Sequence, residues 1–336
     1  MRYARLGSTG ALISRVVLGG VSWGELLSAQ EATKIIARAL DCGVTAFDTA
    51  DVYAAGESER ILGAAVKECR DDVFIMTKVG LRPQTLPARH GRDLSRRAVI
   101  DSVHGSLRRL GTDRIDLYQV HCWDPLTPID ETLSALDSLV RNGAVRYIGC
   151  SNFAAWQLQR SLWRSDVAGW SAFAASQTTY SMVARDAELE MFPSCAAGAV
   201  GVLAYQVMAG GVLAAAYDEG EAPPKGTRIG SRSYLQRTYW NAPVLAVARQ
   251  VRTAAAAMGM SPARLAVAWV LGRPEVSAAI IGVDSVDHLD DLLDAADDVL
   301  DPAVRDRLPS LAPPLPTNPL DPLNPRPVAL SQPADR

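Results

Sequence analysis

Asp48, Tyr53, Lys78 and His121 are the residues of this chain whose types and spacing could do chemistry. Three of them stand at or just past the end of a strand-like run. Thr45-Ala46-Phe47 leads to Asp48, Val73 through Thr77 to Lys78, and Ile115 through Val120 to His121, while Tyr53 lies five residues into the first loop. If these runs are successive parallel strands, one rim of the sheet collects a carboxylate, an ammonium, an imidazole and a phenol. Such a set suits carbonyl reduction, because a carbonyl accepts hydride only if negative charge developing on its oxygen is stabilised. A phenol with a pKa of ~10 is a slow proton donor near neutrality. An adjacent ammonium favours the phenolate and so lowers that value, and a carboxylate behind the ammonium keeps it charged and placed. On this reading Tyr53 is the general acid, or the base in the oxidative direction. Lys78 tunes it, Asp48 holds Lys78, and His121 aligns the carbonyl oxygen. Taken one at a time, each residue has a plainer use: Asp48 as a loop cap, Tyr53 as packing, Lys78 as a solvated strand end, His121 as a core histidine.

The elements that must position them recur at a regular interval. After a hairpin (Tyr3 to Leu6, a turn at Ser8-Thr9-Gly10, Leu12 to Ser14), apolar runs end near residues 18, 48, 78, 120, 150, 177, 205 and 281. Five of the seven gaps are 27 to 30 residues, the length of a loop, a helix, a second loop and a short strand. Helical periodicity falls at Ala29 to Asp41, Glu57 to Cys69, Ser95 to Leu110, Ile129 to Asn142, Ala154 to Ser165, Leu189 to Ala197, Pro243 to Met258, Pro262 to Leu271 and Val286 to Asp297. Gly43, Gly111 and Gly143 follow their helices where a left-handed cap is wanted. Residues 206–240 read as loop-rich, and the eighth strand as Ala278 to Ile281. Eight strands with intervening helices predict an α/β fold, a closed (β/α)8 TIM barrel with an N-terminal β-hairpin and extra C-terminal helices. The competing fold, an open doubly wound sheet, normally carries a Gly-x-Gly-x-x-Gly turn after a strand, and this sequence has none. Residues 1–308 form one expected domain, and the Pro-rich tail 309–336 is expected to be extended or disordered.

Composition narrows the class without choosing the function. The chain has 336 residues, 48% hydrophobic and 21% charged, with a net charge of −3, and no basic stripe suggests nucleic acid. The polar, Gly-broken start predicts no secretory leader, and no apolar run approaches a membrane span. Five cysteines (Cys42, Cys69, Cys122, Cys150, Cys195) form no CxxC pair, consistent with buried thiols in a reducing cytoplasm. The four histidines (His90, His104, His121, His288) show no metal-ligand spacing. Oligomeric state cannot be read, since no self-complementary patch is identifiable.

Five segments carry a resemblance. They are Gly43 through Tyr53 (GVTAFDTADVY), Gly56 through Gly63 (GESERILG), Ile75 through Val79 (IMTKV), His121 through Ile129 (HCWDPLTPI) and Val145 through Phe153 (VRYIGCSNF). With them the chain resembles the aldo-keto reductase family from about Tyr3 to about Asp297, and looks closest to its bacterial stress-protein and potassium-channel β-subunit branch. The family's acid, lysine, aspartate and histidine fall on Tyr53, Lys78, Asp48 and His121.

The resemblance also implies a coenzyme site, with NADP(H) by family habit. Ser151, Asn152 and Gln177 match positions that bond the nicotinamide carboxamide, and Tyr205 matches an aromatic on the nicotinamide face. Asp48, Gly20 and Val21 fall beside the nicotinamide and its ribose. Beyond Tyr205 the usual aromatic-Ser-Pro-Leu run is replaced by Tyr205-Gln206-Val207-Met208, with Ala209-Gly210-Gly211 able to offer backbone amides to the pyrophosphate. A common lysine is Ala216 here, and Arg228 matches a family arginine. Gly282, Asp284, His288 and Asp291 follow the adenosine segment. Asp284 stands where Ser, Lys or Arg is usual, so it repels a 2′-phosphate if it points at the ribose and favours NAD(H), unless it merely caps the next helix. Trp23, Trp123, Phe153 and Tyr180, with Tyr53 and His121, are expected to line an apolar substrate pocket, or else to pack between helices. The expectation is an NAD(P)H-dependent reductase of aldehydes or ketones acting on a small carbonyl compound. The alternatives are a nucleotide-sensing interaction subunit with little turnover and a sugar or alcohol dehydrogenase. The natural substrate depends on loops at 23–28, 81–94, 122–127 and 206–240 and is not legible.

Overall fold

The computed structural model describes residues 1–81, 91–214, 222–298 and 300–308. The expectations for the tail 309–336, for Ala216 and for most of loop 81–94 lie outside the described residues. An antiparallel hairpin, β1 (Tyr3–Arg5) and β2 (Leu12–Ser14), precedes eight parallel strands. These are β3 (Val16–Gly19), β4 (Ala46–Asp48), β5 (Phe74–Val79), β6 (Ile115–Val120), β7 (Val145–Ser151), β8 (Phe173–Thr179), β9 (Gly201–Tyr205) and β10 (Val276–Ile281). Each pairs with the next, and β10 pairs back onto β3, so the sheet closes as a (β/α)8 TIM barrel.

The helices outside the barrel are α1 (Ala29–Asp41), α2 (Glu57–Ala65), α3 (Arg96–Leu110), α4 (Ile129–Arg141), α5 (Ala155–Ala168) and α6 (Met191–Ala197). They continue as α7 (Arg228–Ser231), α8 (Ser233–Tyr239), α9 (Ala242–Ala257), α10 (Pro262–Leu271), α11 (Val286–Leu293) and α12 (Pro302–Arg307). Helix α1 shows why the periodic segments fold this way. Ala32, Ile35, Ile36 and Ala39 form one buried stripe, and Ser28 with Glu31 closes a capping box at its start.

The barrel interior positions the site. Leu6 and Ile13 of the hairpin enter an inner apolar cluster with Val17, Ala46, Met76, Leu117, Ala175 and Leu203, which plugs the N-terminal mouth. Side chains alternate along a strand, so the residue two further on faces the same way, one layer higher. Above Ala46 comes Asp48, above Met76 Lys78, above Leu117 Gln119, above Ala175 Gln177 and above Leu203 Tyr205. A polar layer therefore rests on an apolar plug at the C-terminal mouth, the end of such barrels that carries chemistry.

Four element readings need correction. Helix α2 ends at Ala65 rather than Cys69. Residues Lys67–Asp72 form a 3₁₀ turn, where Arg70 is drawn out to Asp116 (2.8 Å) and to the carbonyls of Val73 and Arg114. The segment 206–240 is not only loop, since it contains α7 and α8. Strand β10 begins at Val276, two residues early, and the last expected helix stops at Leu293 before a 3₁₀ turn at Asp294–Ala296.

Candidate active site at the C-terminal mouth

Lys78 is the centre of the site. Its ammonium donates to Asp48 Oδ2 at 2.6 Å, to the Thr49 carbonyl at 2.8 Å and to the Tyr53 hydroxyl at 3.3 Å. All three of its protons have partners, so the nitrogen has one orientation. Asp48 is held in turn, its Oδ1 accepting from Gln177 Nε2 at 2.9 Å and more weakly from Gln119 Nε2 at 3.4 Å. Across the mouth, the His121 ring meets the Tyr53 ring edge-on with centroids 5.9 Å apart. The structure thus brings Asp48, Tyr53, Lys78 and His121 together.

The loop carrying Tyr53 is fixed by side chains that sequence reading passed over. Ser58 shares a hydrogen bond with Thr49 Oγ1 (2.7 Å) and donates to the Gly20 carbonyl (2.8 Å), tying the loop to the end of β3. Directly after Tyr53, Ala54 and Ala55 adopt left-handed backbone (φ 46° and 53°), a conformation costing about 1–2 kcal/mol per non-glycine residue. Such strain persists only where surrounding contacts over-determine it, and it clusters at functional sites.

Burial sets the protonation states. It drives the Tyr53 phenol above its usual value, with Lys78 pulling the other way. Lys78 acts in the expected direction, but the cost of a buried phenolate exceeds what the ammonium returns. Burial works against the Lys78 ammonium too, but Asp48 and Tyr53 more than offset it and hold Lys78 above the ordinary lysine range. His121 is held well below its usual value, first by burial and then by Lys78, so it is neutral. Its Nδ1 is buried with no hydrogen-bond partner among the described residues.

The expected nicotinamide contacts converge on the same mouth, yet they are engaged with one another. Asn152, left-handed at φ 58°, donates to the His121 carbonyl (2.9 Å) and to Ser151 Oγ (3.0 Å) and accepts from the Tyr205 hydroxyl (2.6 Å). Gly20 makes a close approach: a Cβ there would stand 2.3 Å from the Trp23 ring. Val21 is half-buried beside it. Past β9, Gln206 accepts from the Tyr239 hydroxyl (2.7 Å), Val207 and Ala209 are buried, and Met208 is half-buried. Gly210 and Gly211 follow with φ of 70° and 100°. These two left-handed residues give a backbone able to turn amides toward an anion.

Arg228 is the observation that bears on a phosphate. Its Nη1 lies 3.5 Å from where a Cβ on Gly282 would stand, so it bridges toward the end of β10. It is half-buried, and its charge reaches the phenols of Tyr53, Tyr205 and Tyr239. Among the described residues it has no carboxylate partner. An unmatched guanidinium by the loops after the seventh and eighth barrel strands fits a pyrophosphate.

The adenosine end differs from expectation. Asp284 does not cap α11, because Ser285 does that by accepting from the His288 amide. Instead Asp284 Oδ1 lies 2.6 Å from His288 Nδ1. The contact holds the Asp284 carboxyl below its usual range and lifts His288 above its own. Asp291 accepts from Ser261 at the start of α10, so that oxygen serves helix packing.

The pocket reading is partly overturned. Tyr180 is buried in the outer layer, its ring stacked on Trp269 (5.5 Å between centroids) and its hydroxyl donating to Glu188 (2.6 Å). The β8 end fixes where Tyr180 stands but not the face it takes, and the apolar layer claims the ring. Trp23 is also buried, against Gly20. Phe153 is buried too, edge-on to Phe173 (5.9 Å) and to Trp123 (5.3 Å), while an unforeseen ring, Trp156 at the start of α5, lies 5.4 Å from Trp123 with 56% of its surface exposed.

Comparison with known proteins shows the family. A family model described as "Aldo/keto reductase family" matches residues 15–312. The uncharacterized oxidoreductase YrpG of Bacillus subtilis is 35% identical, covering 90% of this chain and 93% of its own. A versiconal hemiacetal acetate reductase of Aspergillus parasiticus is 34% identical over 87% of this chain and 91% of its own. A probable voltage-gated potassium channel subunit beta of Arabidopsis thaliana is 31% identical over 92% and 95%. On the strength of that match and these relatives, the chain belongs to the aldo/keto reductase family of oxidoreductases.

Proposed function

We propose that the protein is an NADP(H)-dependent reductase of aldehydes and ketones in which Tyr53 delivers the proton. The observation that carries this reading is the three-way anchoring of Lys78 by Asp48, the Thr49 carbonyl and Tyr53. That arrangement places a fixed positive charge beside a phenol kept protonated by burial. When bound, the coenzyme supplies the hydride from its nicotinamide. Arg228 and the Gly210–Gly211 backbone would hold its phosphates, while Ser151, Asn152 and Gln177 would turn amide and hydroxyl groups toward its carboxamide. Neutral His121 donates an N–H to the carbonyl oxygen and aligns it. Tyr53 then releases its proton to that oxygen as charge develops, and Lys78 stabilises the phenolate left behind. Trp123 and the exposed Trp156 would offer an aromatic surface, which would suit an apolar carbonyl compound.

NADP(H) is retained over NAD(H) because the Asp284 carboxylate is matched by His288, which reduces its repulsion of a 2′-phosphate. The test is oxidation of NADPH and of NADH with a panel of aromatic and aliphatic aldehydes and ketones. Turnover that requires the carbonyl supports the reading, and no turnover with any of them ends it. The potassium-channel relative favours a second reading, a nucleotide-binding subunit. Tight nucleotide binding with no turnover, together with a stable protein partner, would select it.

A further inference from the structure

Two clefts away from the reaction mouth are lined by arginines. One, of about 460 Å³, lies between α2 and α3 and contains Arg60, Arg108 and Arg109. Its charge is largely met, since Arg60 pairs with Glu57 (3.2 Å) and Arg109 with buried Glu59 (2.6 Å). The other, of about 450 Å³, opens at the opposite end of the barrel, between the β1–β2 hairpin and the turn joining α10 to β10. Arg5, Arg15 and Arg273 line it, and among the described residues no Asp or Glu does.

Each of these three guanidinium groups lacks full compensation. Arg5 is exposed and makes no ion pair among the described residues. Arg15 is fixed by backbone carbonyls, with Nη2 donating to Leu271 (2.8 Å) and Val276 (3.0 Å), which orients the group without neutralising it. Burial first, and the nearby Arg2 second, hold Arg15 below the usual guanidinium range. Arg273 lies over the Trp269 ring (4.6 Å to the centroid) and reaches a carboxylate only at 3.4 Å, on a Glu188 already held by Arg185 at 2.7 Å; its buried Nε has no hydrogen-bond partner among the described residues. The chain as a whole is acidic, at −3, so general basicity does not produce the cluster. Arginines that line an open cleft with no carboxylate among its described lining residues can offer fork-like donors that match the oxygens of a phosphate.

We propose that the cleft at the N-terminal mouth binds a phosphate-class oxyanion, held by Arg5, Arg15 and Arg273. The occupant is inorganic phosphate or the phosphate of a small monoester. Because the hairpin plug separates this cleft from the reaction mouth, occupancy stabilises the hairpin and the α10–β10 turn and does not compete with the coenzyme. The proposal stands apart from the assigned reaction and survives its failure.

The test is thermal unfolding of the full chain at constant ionic strength, with sodium chloride replaced stepwise by inorganic phosphate and, in parallel, by glycerol phosphate. Three proteins are compared: the wild type, Arg228→Gln as a control for anions at the coenzyme side, and Arg5→Gln/Arg273→Gln. A saturable rise in Tm in the wild type and in Arg228→Gln, absent from the double variant, is the expected result, and the tighter ligand identifies the source. A rise that is equal in the double variant, that disappears with Arg228→Gln, or that never saturates overturns the proposal. If the double variant does not fold, Arg5→Gln decides. Its side chain is exposed, and affinity about tenfold weaker, the loss of roughly one charge-assisted contact, is expected, whereas unchanged affinity overturns the proposal.

Discussion

Asp48–Lys78 and Asp284–His288 are both ion pairs with 2.6 Å between their nearest atoms, yet they stand in opposite surroundings. In the first, the lysine side chain is 0% exposed and the aspartate 4%; in the second, the aspartate is 76% exposed and the histidine 46%. Distance alone would rank them equal. Burial separates them, because breaking a buried pair leaves a charge without water, while an exposed pair is screened and contributes little. Burial also gives the first pair its chemical use. The same low-dielectric floor that makes Lys78 expensive to lose raises the Tyr53 phenol and keeps it protonated, as the proposed proton transfer requires.

Lys78→Met gives the largest expected effect. It leaves Asp48 buried with only the Gln177 and Gln119 amides, and stability should fall by about 3–5 kcal/mol, read from the denaturant midpoint. Carbonyl turnover should fall by about 10²- to 10⁴-fold at the same time. Asp48→Asn added to Lys78→Met should restore part of the stability and none of the activity. Full additivity of the two losses would show that the pair is not coupled.

Next in size is the pH dependence. Tyr53 lies above its ordinary value, so reduction should hold steady through neutral pH and decline only above about pH 10. Alcohol oxidation, which needs the phenolate, should rise across the same range. Parallel pH–rate profiles in the two directions check the sign. A smaller effect is expected for Gln119→Leu, which removes a 3.4 Å donor from Asp48 at a cost of about 1 kcal/mol. Fluorescence titration should then show coenzyme affinity unchanged while kcat drops.

Smallest of all is the exposed pair. His288 is raised and Asp284 lowered, so the pair's stabilisation is present while His288 is charged and Asp284 ionised. It is complete below about pH 6.5 down to the carboxylate range, and it is lost as pH rises through the raised histidine value. Screening keeps it under about 1 kcal/mol. NADPH affinity relative to NADH should fall modestly between pH 6 and pH 8.5 in the wild type and stay flat in His288→Ala. A ratio that rises with pH would remove Asp284 from coenzyme choice.

The floor of the site was legible in the sequence because parallel strands buried on both faces read as short apolar runs, and Asp48, Lys78 and His121 end such runs. Two-residue alternation then does the rest, lifting Asp48 and Lys78 one layer above the apolar plug, with His121 one layer higher still, above Gln119. Gln119 escaped notice because an amide inside a run such as Ile115–Val120 reads as an interruption, not as a partner for a residue 71 positions away. The left-handed turn at Ala54–Ala55 left no trace either, since alanine carries no signal for positive φ. Tyr180 was misplaced for a further reason: a strand end fixes where a residue stands, but the choice between rim and outer layer is made by neighbours such as Trp269 and Glu188. Helices α7 and α8 were hidden by their length, four and seven residues among glycines and prolines, too short for periodicity to show.

Single-turnover reduction of a bound carbonyl by Tyr53→Phe, with coenzyme affinity measured on the same samples, tests the role of Tyr53 most directly. The expected result is a hydride-transfer rate lower by about 10²- to 10⁴-fold, with NADPH binding unchanged. A rate equal to that of the wild type, at equal coenzyme occupancy, would contradict it.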